Sequence, residues 1–200
     1  MNRDFALLAV EDVLSEAVGR RILNEVSIAV SQTIGLKGCD YLRSKVNNLN
    51  RTARGFPVLM ITDLDRPSRC PPSLISEWLR GPAEKAFILR VAVLEVESWV
   101  MADRSAFGRF LGIRASAVPH QVDEVENPKE KIVLLADGSS SSTIRRDLVP
   151  LQGSTARVGP AYNARLGEFV RNTWNPRRAA EVSPSLIRAL RALEVFRYGE

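Results

Sequence analysis

Carboxylates placed just beyond apolar runs are the residues of this chain best suited to chemistry. Glu11 follows the run at 5–10, Asp63 and Asp65 follow the run at 56–62, and Glu95 and Glu97 follow the run at 86–94. Each run is short, continuous and apolar, as in a strand buried on both faces. In a parallel sheet the C-terminal strand ends gather along one edge, where ligands bind. Acids from several strand ends then converge, and like charges in a poorly solvated cleft repel one another. A cation relieves that conflict. Oxygen ligands without His or Cys suit Mg²⁺ or Mn²⁺ better than zinc. A pair of such ions is a common device for hydrolysing phosphodiesters, because it stabilises both the attacking and the leaving oxygen.

The spacing within Asp63-Leu64-Asp65 adds to this reading. If the segment is extended, its period of two puts both carboxylates on one face. A lone Asp-x-Asp is more often a polar loop or a helix cap; three acidic clusters at three strand ends are harder to explain that way. The single histidine, His120, excludes any site that needs two imidazoles, and it reads as a surface residue after a proline. Cys39 and Cys70 lie in unrelated contexts and suggest neither a disulfide nor a zinc site. A Rossmann-like nucleotide binder loses ground because neither glycine-rich phosphate loop is present.

The elements that must position these acids follow from periodicity. A helix is predicted over 12–23, a strand over 27–34, a helix over 40–49 and a short helix over 73–79. A further helix runs from the Glu95–Glu97 segment to about residue 102. Strands alternating with helices predict an α/β fold with a mostly parallel sheet flanked by helices. Beyond Asp103 the pattern turns helical: 104–112, a loop over 114–127, then 128–136 opened by Asn127-Pro128. Gly138 and residues 139–143 read as a flexible joint. Gly159-Pro160, Asn175-Pro176 and Ser183-Pro184 each look like the start of a helix. The expected division is an α/β core over 1–103 and a helical extension over 104–200 packed on it. Trp78, Trp99 and Trp174 read as packing residues.

With 45% hydrophobic and 26% charged residues the chain is a globular one, and neither disorder nor a membrane span is expected. The apolar stretch near the N-terminus is too short for a signal segment, so the expected location is cytoplasmic. Residues 145–200 hold ten arginines against five acids, which accounts for the whole formal charge of +5. Guanidinium groups pair well with phosphate. Arg145 and Arg146 are therefore candidate nucleic-acid contacts, as are Arg66, Lys129 and Lys131.

The segment Glu11-Asp12-x-x-Ser15-Glu16 after the first strand, followed by Asp63-x-Asp65 after the third, resembles the Toprim fold. That fold is shared by topoisomerases, primases and the overcoming-lysogenisation-defect nucleases. The glycine that usually follows the first glutamate is Asp12 here. Further along, Glu97-Ser98-Trp99-Val100-Met101-Ala102-Asp103, Asn127-Pro128-Lys129, Trp174-Asn175-Pro176 and Ser183-Pro184-Ser185-Leu186 resemble a family of small stand-alone bacterial Toprim-like proteins. Members are often encoded beside an ATPase and are suspected of acting in defence against phage. The resemblance implies a Mg²⁺- or Mn²⁺-dependent nuclease acting on DNA or RNA. Glu11 would serve as metal ligand or general acid/base, Asp63 and Asp65 as metal ligands, and Glu97 would complete the site, with Glu95 and Glu16 as further ligands. It also implies an ATPase partner and a homo- or hetero-oligomer. Tyr162-Asn163 would close over the cleft. The competing reading is a regulatory or interaction subunit of an ATPase complex with little activity of its own.

Overall fold

The computed structural model describes residues 3–65 and 70–199. Four strands form one all-parallel sheet: β1 (Phe5–Val10), β2 (Ala29–Gly35), β3 (Val58–Asp63) and β4 (Phe87–Ala92), in the order β2-β1-β3-β4. Helices α1 (Val13–Glu25), α2 (Cys39–Thr52), α3 (Pro71–Trp78) and α4 (Val96–Ala102) alternate with the strands. This is the α/β arrangement of helices flanking a parallel sheet that the alternating pattern predicts. It puts the ends of β1 and β3, paired Ala9 to Met60, and of β3 and β4, paired Asp63 to Ala92, along one edge.

Period-two alternation sorts each strand between two cores. Leu8, Val10, Leu59, Ile61 and Ile88 join the larger one, which extends over α1, α4 and the C-terminal helices. Ala9, Val58, Met60, Phe87, Leu89 and Val91 join the smaller one, beneath α2 and α3. Both faces of the sheet are thus covered, which is why the strands read as continuous apolar runs. None of the described helices is long and apolar enough to cross a membrane.

The C-terminal half comprises α5 (Arg104–Leu111), α6 (Pro128–Asp137), α7 (Ser142–Leu148), α8 (Tyr162–Asn172), α9 (Pro176–Ala180) and α10 (Pro184–Tyr198). The proline pairs work as read in two cases: Asn175 and Ser183 each cap a helix whose first residue is proline. The motifs at 97–103 and 174–185 meet in space. Asp103 accepts hydrogen bonds from Asn175 N–H (2.9 Å) and Arg178 (2.8 Å), Trp174 Nε1–H donates to the carbonyl of Trp99 (3.1 Å), and Trp99 Nε1–H donates to Ser185 Oγ (2.7 Å). Asp123 completes this staple by accepting from Ser183 Oγ (2.7 Å) and Ser185 N–H (2.8 Å). These residues fix α4, and with it Glu97.

The flexible joint expected at 139–143 is corrected. Ser139 is buried and donates to the carbonyl of Leu111, Ser140 Oγ donates to the carbonyl of Gly112 (3.0 Å), and Ser141 caps α7. Three hydroxyls saturate the backbone of this turn, so the serine run is an ordered clamp between α5 and α7.

Candidate active site

Glu11 stands immediately beyond β1, and its side chain reaches across to β3. Its Oε1 accepts the N–H of Asp63 at 2.9 Å and the hydroxyl of Thr62. Asp12 acts differently, since its carboxylate accepts Ser15 N–H at 2.8 Å and caps α1. A capping aspartate thus occupies the position where the Toprim pattern has glycine, and the turn from strand to helix is made without one. Gly35 holds the neighbouring connection. It has φ +114, and a Cβ there would lie 2.0 Å from the carbonyl oxygen of Val10. Gly38 N–H then donates to the Glu11 carbonyl (3.0 Å) and delivers Cys39 to the site.

Asp63 is the last residue of β3 and is only 8% exposed. Its Oδ1 accepts Val96 N–H at 2.9 Å, which ties β3 to the start of α4. The chain then turns sharply. Asp65 has φ +59 and its N–H donates to the carbonyl of Leu94 (3.0 Å), itself at φ +66. Both are left-handed conformations that non-glycine residues seldom adopt. The expectation that Asp63 and Asp65 project from one extended face is therefore corrected: Asp63 is buried and Asp65 exposed. The turn nevertheless brings Asp65 to Glu11. One ligand atom each from Glu11, Cys39 and Asp65 lie within 4.8 Å of one another.

Cys39 is the residue that sequence reading passed over. The α2 turn carries its thiol beside two acids from other elements, a closeness with no signature along the chain. Burial, and then the charges of Glu11 and Asp65, push the thiol up to about 11, so it is protonated at neutral pH.

Glu97, 2% exposed, lies in the first turn of α4. The Lys129 ammonium stands 3.6 Å from Glu97 Oε1 and 3.6 Å from Glu95 Oε1, and the Tyr162 hydroxyl donates to Glu97 Oε1 at 3.4 Å. Glu95 also accepts the backbone N–H of Lys129 (2.9 Å), so it anchors the start of α6 and holds Lys129 in place. Tyr162 opens α8 next to Gly159, where a Cβ would lie 2.5 Å from the carbonyl oxygen of Asp147. That close approach lets the chain turn the hydroxyl toward Glu97.

The carboxylates feel one another. Burial, and then the charges of Glu11 and Glu97, drive Asp63 well above the usual carboxylate range. Burial raises Glu11 despite its two hydrogen-bond donors, with Asp65 and Asp12 adding to the effect. Burial carries Glu97 to about 7 against the pull of Lys129. Burial would depress Lys129, but Glu97 and Glu95 outweigh it and raise its pKa. Tyr162 is raised as well, mainly by burial, and remains a donor. Asp63 thus lies electrostatically between the Glu11–Asp65 side and the Glu97–Lys129 side.

Other candidates fall elsewhere. Glu16 accepts from Thr33 Oγ1 (2.8 Å) and pairs with Arg20 (2.9 Å), so it ties α1 to β2 and lies outside the Glu11–Cys39–Asp65 group. Arg145 donates to the carbonyl of Ser139, and Arg146 pairs with Asp147 at 2.9 Å. Lys131 is half-buried and takes no part in the Lys129 cluster. Arg66 lies outside the described residues. His120 is exposed, and Trp78, Trp99 and Trp174 are all buried. Compared with family models, with curated proteins and with solved structures, the chain gives no match in any of the three.

Proposed function

We propose that this chain is a divalent-metal-dependent nuclease of the Toprim type, hydrolysing phosphodiester bonds of DNA or RNA. The observation that carries the reading is the meeting of Glu11 and Asp65 with Cys39 at the ends of two adjacent strands, with buried Asp63 beside Glu11. Burial, and then the charges of Glu11 and Glu97, drive Asp63 toward its protonated form. A buried carboxylate crowded by others is poorly compensated, and a cation supplies what it lacks. The two carboxylates fit Mg²⁺ or Mn²⁺, with Glu11 and Asp65 as the holding residues and Asp63 beside them. The thiol of Cys39, protonated at neutral pH, is a weak ligand beside them.

When bound, the ion would polarise the phosphate and favour ionisation of the attacking water. The chain's own residues supply the rest. Glu97, poised at about 7, can take a proton at its carboxylate or return one near neutrality. Lys129 offers a fixed positive charge where negative charge grows on the phosphate oxygens. Tyr162 and Glu95 hold these two groups in register. Following the same resemblance, we place the protein in the bacterial cytoplasm, as effector of an anti-phage defence system working with an ATPase partner.

The test uses purified protein incubated with plasmid, single-stranded DNA and transfer RNA in Mg²⁺, Mn²⁺ or EDTA. Metal-dependent cleavage that is lost in Glu11→Ala and Asp63→Ala is expected. If no substrate is cut under any of these conditions, with or without the ATPase, the nuclease reading falls. A stable complex with the ATPase would then favour the regulatory subunit.

A further inference from the structure

The α2 side of the site carries cations that the reaction just outlined does not use. Lys37 precedes α2 and Lys45 lies about two turns into the helix; each ammonium is 5.3 Å from the centre of the Tyr41 ring. Residues spaced by four share one ridge of a helix, so Lys37, Tyr41 and Lys45 form a continuous basic and aromatic edge. Leu42, Val46 and Leu49 carry the buried face of the same helix. Among the described residues, neither lysine has a carboxylate partner. The C-terminal arginines differ: Arg146, Arg165, Arg177, Arg178 and Arg197 are all engaged in ion pairs. Five of the ten C-terminal arginines thus have a carboxylate partner, while Lys37 and Lys45 have none among the described residues.

This edge leads into a cavity of about 480 Å³ between α2 and α3, lined by Lys37 and Arg43 and bounded by Asp63 and Asp65. Arg43 spans it to Glu77 at 2.6 Å, with both side chains substantially exposed. An exposed pair of this kind contributes little to stability, so Arg43 can exchange Glu77 for a phosphate at small cost. The N-terminus of α2 has no side-chain cap, which leaves its first-turn N–H groups as further donors. Against these stand four acids of the lining: Asp40, Asp63, Asp65 and Glu77. Entry of a phosphate therefore requires a divalent ion on the carboxylates.

We propose that the sugar–phosphate backbone of a polynucleotide lies along the Lys37–Tyr41–Lys45 edge and enters the cavity past Arg43. It would thereby bring one phosphodiester to the carboxylates. The inference rests on the nuclease reading and adds the path of the substrate, over α2 and not over the arginine-rich C-terminal helices.

The test measures binding of short fluorescein-labelled oligo(dT) and oligo(U) by anisotropy. It uses Ca²⁺ to support binding without turnover, across a salt series. The Lys37→Ala/Lys45→Ala double variant should flatten the slope of log K against log salt by ~1.4, as expected for two lost contacts to a single strand. Arg43→Ala should flatten it further, by ~0.7. Arg145→Ala/Arg146→Ala should leave the slope unchanged. Both lysines are on the surface, and an unaltered melting temperature confirms that their variants fold. If wild-type protein cuts nucleic acid but the lysine pair leaves slope and affinity untouched, the path over α2 is wrong and the nuclease reading stands. A slope that falls only in the arginine pair overturns the path in favour of the C-terminal face. If the wild-type protein neither binds nor cuts, both proposals fail together.

Discussion

Replacing Glu97 by glutamine should make the metal-free protein more stable at alkaline pH while abolishing its activity. Glu97 is 2% exposed, and its pKa rises from the ordinary 4.5 to about 7, chiefly through burial. The folded state therefore binds its proton more tightly than the unfolded state does. The stability this group contributes is fully present below 4.5 and is lost as pH rises through 7. Integrating the linkage between about pH 5 and about pH 8.5 gives a loss of about 2–3 kcal/mol. Glutamine has no proton to lose, so Glu97→Gln should escape this loss. The quantity to measure is the stability gap between variant and wild type at the two pH values. Steric effects of the substitution cancel in that difference. Urea unfolding in EDTA, followed by fluorescence of the buried Trp99 and Trp174, reports it. The gap should move in favour of the variant by about 2–3 kcal/mol, equivalent to roughly 4–12 °C in melting temperature for a chain of this size. A gap that does not change with pH would refute the claim that Glu97 is a buried, proton-retaining acid.

Other outcomes follow from the same geometry. Mn²⁺ at a hundredfold its dissociation constant should raise stability by about 2.7 kcal/mol, and differential scanning calorimetry should show the shift disappear in Asp65→Ala. Glu16→Ala should cost about 0.5–1 kcal/mol in chemical denaturation through the lost Thr33 hydrogen bond while leaving cleavage intact, because this carboxylate is spent on α1 and β2. Gly159→Ala forces a Cβ within 2.5 Å of the Asp147 carbonyl oxygen. It should destabilise the fold by about 1–3 kcal/mol and lower the turnover of a well-folded sample by displacing Tyr162 from Glu97.

Much of the fold was legible because its signals are local. The run at 5–10 is continuous and apolar, and it forms β1 over the same residues. The run over 56–62 predicts β3 within two residues at its start and one at its end, since the residues after Gly55 lead into the strand before its pairing with β4 begins. Glu11 and Asp63 could be nominated from their place after these strands alone. The rest depends on what the chain does in three dimensions. The left-handed turn at Asp65 has no glycine to mark it, and aspartate adopts that conformation only at a minority of its positions. Cys39 reaches the acids only through the Gly35–Gly38 turn. The serine run at 139–141 has the composition of a loose linker, yet carbonyls from α5 and its C-terminal cap accept its hydroxyls. The C-terminal arginines overstated the charge there because their partners, among them Asp4, Glu25 and Asp103, come from distant parts of the sequence.

The most direct measurement is anomalous diffraction from crystals grown with Mn²⁺. The account predicts a peak bonded to oxygens of Glu11 and Asp65, with Asp63 deprotonated beside it and metal–oxygen distances of about 2.1 Å. An empty site at saturating Mn²⁺, with the three carboxylates unchanged, would contradict it.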